Sequence, residues 1–493
     1  MTVDTPAWAR DAVFYQVFPD RFAPSRRVPK PGTMEPWDAP PTNEGYKGGD
    51  LLGLAERLDE LADLGISALY LNPIFTAASN HRYNAYDYLS VDPLLGGDAA
   101  LRELLDAAHD RGIRVVLDGV FNHVGRGFWP FHHVLESGGA SPYRDWFYLE
   151  PEVVAGRRGL HAYGVRRGGP DRERGYRSWW DVPSLPKLRV EHPAVREHLF
   201  TVAAHWLRFG IDGWRLDVPQ DVEDPTFWPE FRRRVRAVNP EAYIVGEIWE
   251  EGPEWLAGDR FDALMNYPLG IAILGFAGGP DLDFEVAAGQ ANYARALRAL
   301  DGPAFGGAVE RQLTLYDPAV TAVQFNLIGS HDTPRARTVM GGSPARLRLA
   351  TLLQLTLPGT PSIYYGDELA MEGAADPDCR RAYPPAGAAL SADATETRDF
   401  VGAAIRARRS HVALRRGEAR ILAAGPRWIA LERTAEGRRA LVAVNAGDEE
   451  VAADLAGAAV GLQAVTLPNV RGAVTVNGTL TLPPLGAAVL VEA

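Results

Sequence analysis

Short apolar runs alternate with amphipathic stretches from the start of the chain to about residue 410. The runs are rich in β-branched and aromatic residues, which favour buried strands, and the stretches between them carry apolar residues at three and four spacing, which is typical of helices. Gly65, Gly112 and Gly210 stand where three of these helices end, the usual place for a left-handed residue. The alternation predicts repeated βα units around a parallel sheet. The predicted strands are Val13 to Phe18, Ser67 to Asn72, Ile113 to Asp118, Ile211 to Asp217, Tyr243 to Glu247, Phe261 to Asn266, Val323 to Ile328 and Pro361 to Tyr365.

Eight strands match the number in a (β/α)8 TIM barrel, so we predict an α/β fold with this barrel in residues 1–123 and 191–410. Residues 124–190 lie between these parts, are rich in glycine, arginine and aromatic residues, and are too many for an ordinary βα loop. We interpret them as a small inserted domain after strand 3. After about residue 411 short strands replace the helical pattern, which predicts a C-terminal antiparallel β-domain over residues 411–493. Its predicted strands are Trp428 to Leu431, Ala440 to Val444, Val474 to Val476 and Ala487 to Val491, with Asn477-Gly478 as a turn signal.

Composition excludes several classes of partner and location. The net charge of -12 argues against nucleic acid and anionic membranes, which require a basic face. No apolar run reaches about 18 residues, and the first ten residues show no basic segment followed by an apolar stretch, so we expect a cytoplasmic protein. Cys379 is the single cysteine, which leaves no intrachain disulfide. Of the 51 basic residues only Lys30, Lys47 and Lys187 are lysines, a bias that we attribute to genome composition.

Two carboxyl groups end neighbouring predicted strands, Asp217 on the fourth and Glu247 on the fifth. Consecutive strands of a parallel barrel lie about 4.8 Å apart, and their C-terminal ends open onto one face. We therefore expect the carboxyls near the separation of about 5 to 5.5 Å that retaining glycosidases use. Polar groups end further strands, and the four segments concerned are Asp118-Gly119-Val120-Phe121-Asn122-His123, Gly213-Trp214-Arg215-Leu216-Asp217, Gly246-Glu247-Ile248-Trp249 and Gly329-Ser330-His331-Asp332.

These four segments, in this order, resemble the signature regions of the α-amylase family, glycoside hydrolase family 13. Further matches are Leu185-Pro186-Lys187-Leu188 and Pro361-Ser362-Ile363-Tyr364-Tyr365-Gly366-Asp367-Glu368. The resemblance implies that Asp217 is the nucleophile, Glu247 the general acid/base and Asp332 a third essential carboxylate that binds sugar hydroxyls. Arg215, two positions before Asp217 on the same strand face, is expected to hold the pKa of Asp217 down, with Asp118 supporting Arg215.

The same resemblance implies a set of substrate-binding residues. His123 and His331 would hydrogen-bond the sugar at the cleaved bond, Tyr83 would form an aromatic platform beneath it, and Asp376 with Arg380 would grip the next sugar on the non-reducing side. The implied set is Tyr83, His123, Arg215, His331, Asp376, Arg380 and Trp249. Aromatic side chains of the insertion are further candidates for stacking on sugars, although packing inside the insertion is the better prediction for each of Phe128, Trp129, Phe131, Trp146, Trp179 and Trp180.

Within the family the chain is most similar to the cyclomaltodextrinase, neopullulanase and maltogenic amylase group, on Leu185-Pro186-Lys187-Leu188 and on Phe261-Asp262-Ala263-Leu264-Met265-Asn266-Tyr267-Pro268. Members cut α-1,4 bonds, and some α-1,6 bonds, in cyclic dextrins, short maltooligosaccharides or pullulan. The group usually carries an N-terminal β-domain, whereas here the first predicted strand begins by Val13. We expect a monomer or homodimer, with a preference for branched or cyclic oligosaccharides such as small rings with mixed α-1,4 and α-1,6 links.

Relatives often bind calcium in a loop after the first strand that is rich in Asn and Asp. Here that loop, residues 23–30, is basic and offers few oxygen ligands, and only Gly48-Gly49-Asp50 of the usual motif remains. Asn122, a calcium ligand in some secreted amylases, is poor evidence alone. We expect no cofactor and no metal, because calcium would have to bind without its usual loop.

Two other readings stay open. A transglycosylase or glucan isomerase would use the same glycosyl-enzyme and the same two carboxyls, and would differ only in the fate of the intermediate. Some barrels of this family are instead accessory subunits of membrane transporters, but those lack the carboxylates and carry a transmembrane helix, so we disfavour that reading.

Overall fold

Eight parallel strands form the barrel in the computed structural model, which describes residues 3–30, 32–164, 167–455, 457–472, 474–476 and 479–492. All eight predicted strands are present, the third and the eighth shifted by one residue and the others shorter than predicted. They are β1 (Phe14–Val17), β2 (Ala68–Leu71), β3 (Arg114–Gly119), β4 (Gly213–Leu216), β5 (Tyr243–Gly246), β6 (Ala263–Leu264), β7 (Phe325–Asn326) and β8 (Thr360–Tyr364). Their order is β6-β5-β4-β3-β2-β1-β8-β7, and a parallel bridge between Met265 and Phe325 joins the two ends. The predicted TIM barrel is confirmed.

The barrel interior is apolar at one end and charged at the other. Because side chains alternate along a strand, residues two apart point inward together. Val116 and Asp118 on β3 follow this rule, as do Val245 in β5 and Glu247 just after it. The apolar members pack into one buried cluster, which Trp8 closes from below by contacting Phe14 and Tyr243. The charged members therefore gather above this cluster, where the strands end.

Helices surround the barrel, and Gly65, Gly112 and Gly210 adopt positive φ at 103°, 69° and 118°, as predicted for helix ends. The connection from β5 to β6 departs from the regular pattern, because it holds only the 3-10 turn Pro253–Trp255. The α-helices outside the insertion are Ala7–Asp11, Pro19–Phe22, Leu51–Ala55, Leu58–Leu64, Gly97–Asp110, Pro193–Phe209, Phe227–Val238, Tyr267–Gly278, Phe284–Ala287, Ala291–Ala296, Gly302–Leu315, Pro318–Thr321, Ala336–Val339, Pro344–Thr356, Ala392–Ser410 and Val412–Arg416. No helix in the described residues is long and apolar enough to cross a membrane.

Two irregular units cover the charged end of the barrel. A two-stranded ribbon, Phe75–Ala77 with Ala85–Val91, follows β2. Residues 124–190 contain the helices Trp129–Ser137, Pro151–Val154 and Asp171–Arg174, tied together by isolated bridges such as His123 to Lys187 and Phe147 to Leu188. Of the insertion's six candidate aromatic residues, Phe128, Phe131 and Trp146 are buried, Trp179 is half-buried, and Trp129 and Trp180 are exposed. The division of the chain into domains stays a prediction.

The C-terminal part is a β-structure in which the four predicted strands are present and antiparallel pairing predominates. Its strands are β9 (Glu418–Gly425), β10 (Trp428–Ala435), β11 (Arg438–Asn445), β12 (Val451–Asp454), β13 (Gln463–Ala464), β14 (Arg471–Gly472), β15 (Val474–Val476), β16 (Thr479–Leu482) and β17 (Gly486–Val491). One sheet has the order β9-β10-β11-β17-β13, with β14 parallel to β17, and a second has the order β12-β16-β15. The predicted turn at Asn477-Gly478 lies outside the described residues.

A buried arginine joins this sheet to the barrel. Arg433 on β10 is fully buried, and its guanidinium donates to the carbonyl oxygens of Gly417 and Thr356, the latter at the end of a barrel helix. Burial lowers its pKa well below the usual range, and no carboxylate pairs with it in the described part of the chain. Arg433 therefore satisfies carbonyl groups that would otherwise be buried without donors.

Replacing Arg433 with methionine should destabilise the protein by roughly 1–3 kcal/mol, because two buried carbonyls lose their donors. We expect the thermal unfolding midpoint to fall by roughly 2–4 °C. Arg420→Met is the matched control, since the Arg420 side chain is 71% exposed and its pair with Glu432 lies at the surface. An Arg433→Met midpoint equal to that of the wild type would show that the guanidinium does not hold this joint.

Candidate active site

Arg215 lies at the centre of the charged end of the barrel, fully buried on β4. Its Nη1 is 2.8 Å from Asp118 Oδ1 and 3.1 Å from Asp217 Oδ1, and its Nη2 is 2.8 Å from Glu247 Oε2. The strand register explains this arrangement, because Asp118 pairs with Arg215 across β3 and β4, and Leu216 pairs with Gly246 across β4 and β5. Asp217 and Glu247 thus leave neighbouring strands side by side and reach one guanidinium.

Asp118 supports Arg215 as the sequence predicted, and it also binds two tyrosines. Tyr70 donates to Asp118 Oδ2 at 2.6 Å and Tyr83 donates to the same oxygen at 2.8 Å. The ring of Tyr83 stacks on His331, with centroids 5.3 Å apart and planes within 5°. Asp118 therefore fixes both the guanidinium and the aromatic ring on which a bound sugar is expected to lie.

Asp332 lies across the site among cationic and polar groups. Its carboxylate is 3.0 Å from His331 Nε2 and 3.2 Å from Arg380 Nη2, while Arg380 Nη1 is 2.9 Å from Asp376. Enclosure in the site raises the pKa of Asp332, but His331 and Arg380 lower it more, so the net pKa lies below the usual range. Asp332 is therefore ionised while its side chain stays 32% exposed.

The pKa values of the other two carboxyls move in the opposite direction. Burial raises the pKa of Asp217 well above its usual range and also raises that of Glu247, and Arg215 only partly offsets this effect. Arg215 lowers the pKa of Asp217 as expected, but desolvation outweighs one guanidinium shared among three carboxyls, so the net pKa still lies above the usual range. The pair keeps a proton more readily than separate carboxyls would, which suits one ionised and one protonated member.

The remaining predicted residues line the same space. His123 is buried, its Nε2 has no hydrogen-bond partner in the described residues, and burial lowers its pKa to about 3, so its ring is neutral. Its ring stacks on Trp179 at 4.6 Å. Trp249 is half-buried and lies flat on Tyr267, with centroids 3.6 Å apart. Tyr267 faces Glu247 and Asp332, so Trp249 is connected to these two carboxyls through the Tyr267 ring.

Sequence reasoning missed three residues that orient this set. Gln16 Nε2 lies 2.9 Å from His331 Nδ1 and 3.1 Å from Asn72 Oδ1, which leaves the His331 proton on Nε2, facing Tyr83 and Asp332. His81 Nδ1 accepts from the Tyr83 backbone, and burial, with Arg380 and Arg82, lowers its pKa to about 3. His81 is therefore neutral and lies near Arg380. The sequence signal that could have identified His81 is its position two residues before Tyr83.

The profile of the alpha amylase catalytic domain matches residues 16–412 of this chain. The chain belongs to the α-amylase family. It is 44% identical over 381 residues to neopullulanase 2 of Thermoactinomyces vulgaris, covering 76% of this chain and 59% of that protein. Among solved structures, a debranching enzyme of Nostoc punctiforme is 41% identical with a TM-score of 0.87, and the cyclic α-maltosyl-(1→6)-maltose hydrolase of Arthrobacter globiformis is 35% identical with a TM-score of 0.85. Each of these two alignments covers 99% of this chain and 100% of the other.

The loop where relatives in the α-amylase family often hold calcium does not offer the oxygens that calcium needs. Asp50 Oδ2 is 3.0 Å from Lys30 Nζ and accepts from the Ser25 backbone. Lys47 Nζ donates to the carbonyl oxygens of Pro36 and Ala39 at 2.6 and 2.7 Å. Calcium takes six to eight oxygen ligands, and here ammonium groups already bind these oxygens. The residues present do not fit a calcium ion at this loop.

We expect a chelator to leave the thermal unfolding midpoint unchanged and Lys47→Met to lower it. The buried Lys47 side chain holds two carbonyls and contacts Glu35, so its loss should cost roughly 1–3 kcal/mol, or roughly 2–4 °C. Differential scanning fluorimetry with and without EDTA measures both effects. Arg26→Met, at an exposed position in the same loop, is the control. A midpoint that falls in EDTA and recovers with added calcium would contradict this account.

Proposed function

We propose that the protein is a retaining α-glucan hydrolase that cleaves α-1,4 bonds, and α-1,6 bonds where they occur, in cyclic or short maltooligosaccharides. The observation that carries this proposal is the shared guanidinium, because Arg215 binds Asp217 and Glu247 at the ends of adjacent strands. Both carboxyls therefore lie together at the strand ends, as a double displacement at a sugar carbon requires. Its closest alternative, transfer to a second sugar, uses the same two groups.

The contacts assign a task to each carboxyl oxygen. Arg215 occupies Oδ1 of Asp217, and Oδ2 is buried without a hydrogen-bond partner in the described residues, so Oδ2 is the oxygen free to attack the anomeric carbon. Glu247 Oε2 accepts from the Val218 backbone and faces Arg215, which leaves Oε1 to give its proton to the leaving oxygen. In the second step Glu247 takes a proton from water, and the resulting hydroxide displaces Asp217.

Other groups of the site bind and orient the sugar. Tyr83 and His331 offer stacked faces, and Asp332 accepts from sugar hydroxyls at the reacting ring. His123 Nε2 is buried and lacks a hydrogen-bond partner within the described part of the chain, so a bound hydroxyl would supply one. Because these contacts strengthen as the ring flattens towards the transition state, they accelerate the reaction rather than only tightening binding.

The substrate class rests on the names of similar proteins and on the expected lack of a basic surface. A neutral oligosaccharide suits a chain of net charge -12. The chain spans 59% of the length of the neopullulanase it matches. The substrate class is therefore proposed for this chain and is not carried over from the longer protein. Small rings with mixed links stay our first candidates, and the similar Arthrobacter protein is named for hydrolysis of such a ring. Cytoplasmic location, the absence of a cofactor, and a monomeric or homodimeric state remain predictions.

One observation favours transfer as a second candidate. A cleft of about 240 Å³ beside the loop that follows Asp217 is lined by Trp179, Trp180 and Gln220. Trp180 is 69% exposed and stacks on Trp179 at 4.6 Å, so a sugar bound there would lie near the glycosyl-enzyme and compete with water.

Asp217→Asn and Glu247→Gln should each lower kcat by at least about 10³-fold while oligosaccharide binding persists, because both groups act chiefly in the transition state. Steady-state kinetics and calorimetric binding separate the two effects. Glu250→Gln is the control, since this exposed residue lies three positions after Glu247. Turnover near the wild-type rate in either site variant would remove the mechanism.

A substrate panel tests the preference and the outcome of the reaction. We expect at least one cyclic or branched oligosaccharide to be cut faster than soluble starch, with the product released as the α-anomer. Proton NMR during the first minutes identifies the anomer, and chromatography of maltotriose digests detects transfer. Faster cleavage of starch than of every oligosaccharide would overturn the preference. Abundant products longer than maltotriose would establish transfer instead of hydrolysis.

A further inference from the structure

Val218, the residue directly after Asp217, has an unusual backbone conformation. Its φ of 36° and ψ of 53° lie in the left-handed region, which a β-branched residue rarely adopts. Pro219 follows it, and a proline biases the residue before it towards an extended backbone. Left to its own preference, Val218 would therefore adopt an extended conformation.

This conformation has a chemical consequence in the active site. The Val218 N–H donates to Glu247 Oε2 at 3.2 Å, so the direction of one strained peptide group decides whether the acid/base receives a hydrogen bond. A donor on a carboxylate favours its charged form and lowers its pKa. The φ angle of Val218 sets how the peptide group that carries this N–H is oriented relative to the loop that follows.

Side chains from outside the loop hold it in place. Lys187, from the insertion, donates from Nζ to the Asp221 carbonyl at 2.8 Å and contacts Glu223 at 3.1 Å. The Lys187 side chain is only 7% exposed, whereas the Glu223 side chain is 50% exposed. Trp228 Nε1 donates to the Pro219 carbonyl at 2.9 Å, and Trp179 Nε1 donates to the Asp221 carboxylate at 2.6 Å. Lys187 supplies the cationic contact of this set.

The choice of lysine at this position stands out in so arginine-rich a chain. Lys30, Lys47 and Lys187 are the chain's three lysines, and each points its ammonium at a backbone carbonyl and a carboxylate. An ammonium is a compact donor on a flexible stem, whereas a guanidinium is a wide planar fork. At Lys187 this compact donor reaches both the Asp221 carbonyl and the Glu223 carboxylate on the loop after β4.

We propose that Lys187 is a positioning residue that holds Val218 in its left-handed conformation and thereby keeps the Val218 N–H on the general acid/base Glu247. The inference rests on the proposed hydrolase function and adds a regulator of that same site. Because Lys187 reaches the loop from the insertion, the insertion would then help to determine the hydrogen bonding of the acid/base Glu247.

The direction of the pH effect follows from the groups around Glu247. Glu247 must be protonated to act as the acid, so the basic limb of the kcat/KM profile reports its pKa. Loss of the Val218 hydrogen bond removes a group that lowers this pKa, so the basic limb should move to higher pH. The other charged and titratable groups that face Glu247 are Arg215, Asp217, Asp332, His331, Tyr70 and Tyr267.

The experiment compares pH profiles of the full chain, measured on the best substrate of the panel. In Lys187→Met we expect the basic limb to shift up by roughly half a pH unit or more, with kcat about tenfold lower and KM within about threefold. Arg189→Met, which removes an exposed cation two residues away, is the matched control and should match the wild type. Val218→Gly measures the effect of removing the backbone strain alone, because glycine adopts the left-handed region without strain.

The double variant Lys187→Met with Val218→Gly is the decisive test of this role, since glycine adopts the left-handed conformation without a restraining contact. Its profile should return towards that of the wild type, a rescue that a merely structural lysine would not permit. An unshifted profile in Lys187→Met, or a double variant no closer to the wild type, would overturn the inference. If Lys187→Met does not fold, Trp228→Phe tests the same turn, and an unshifted basic limb there counts against it. A wild-type chain that cuts no glucan would instead refute the proposed function.

Discussion

One buried guanidinium organises the active end of this barrel. Arg215 has no exposed surface and contacts three carboxyls that come from three successive strands. Carboxyls so close together repel one another, and their burial favours the protonated forms. A permanently charged, planar donor reduces this repulsion and fixes each carboxyl in a direction. Without it the strand ends would bring together charges that the surrounding protein could not hold.

The alternation of side chains along the strands explains why the guanidinium lies there. Arg215 and Asp217 point inward from β4, Asp118 does so from β3, and Glu247 from the end of β5. The layer below is apolar and close-packed, with Phe14, Tyr243 and Val245 in one buried cluster. Water cannot reach the charged layer from beneath, so its electrostatic interactions act in a medium of low dielectric constant. Burial therefore raises the pKa values of Asp217 and Glu247. The proton that this pair retains is the one that the general acid of the proposed reaction needs.

Much of this arrangement could be predicted from the sequence, because it depends on local order along the chain. A polar residue at the end of an apolar run identifies a strand end, and eight such runs identify the barrel. The contacts that orient the site were not predictable in this way. Gln16 and His331 are 315 positions apart, and Lys187 reaches Asp221 from the insertion, so no local pattern relates them. The short connection between β5 and β6 was also not predicted, since identifying two strands does not show whether a helix lies between them.

Val218 and Lys187 differ from the predicted site residues in what dictates their residue types. Asp217, Glu247 and Asp332 are recognisable because the proposed reaction dictates their residue types. In our proposal Val218 and Lys187 act through backbone groups, since the Val218 N–H donates to Glu247 and Lys187 Nζ donates to the Asp221 carbonyl. Strain at Val218 can persist only where the surrounding contacts over-determine it. A valine before a proline in the left-handed region, next to Asp217, therefore implies that neighbouring elements restrain it, and Lys187 of the insertion supplies the charged part of that restraint.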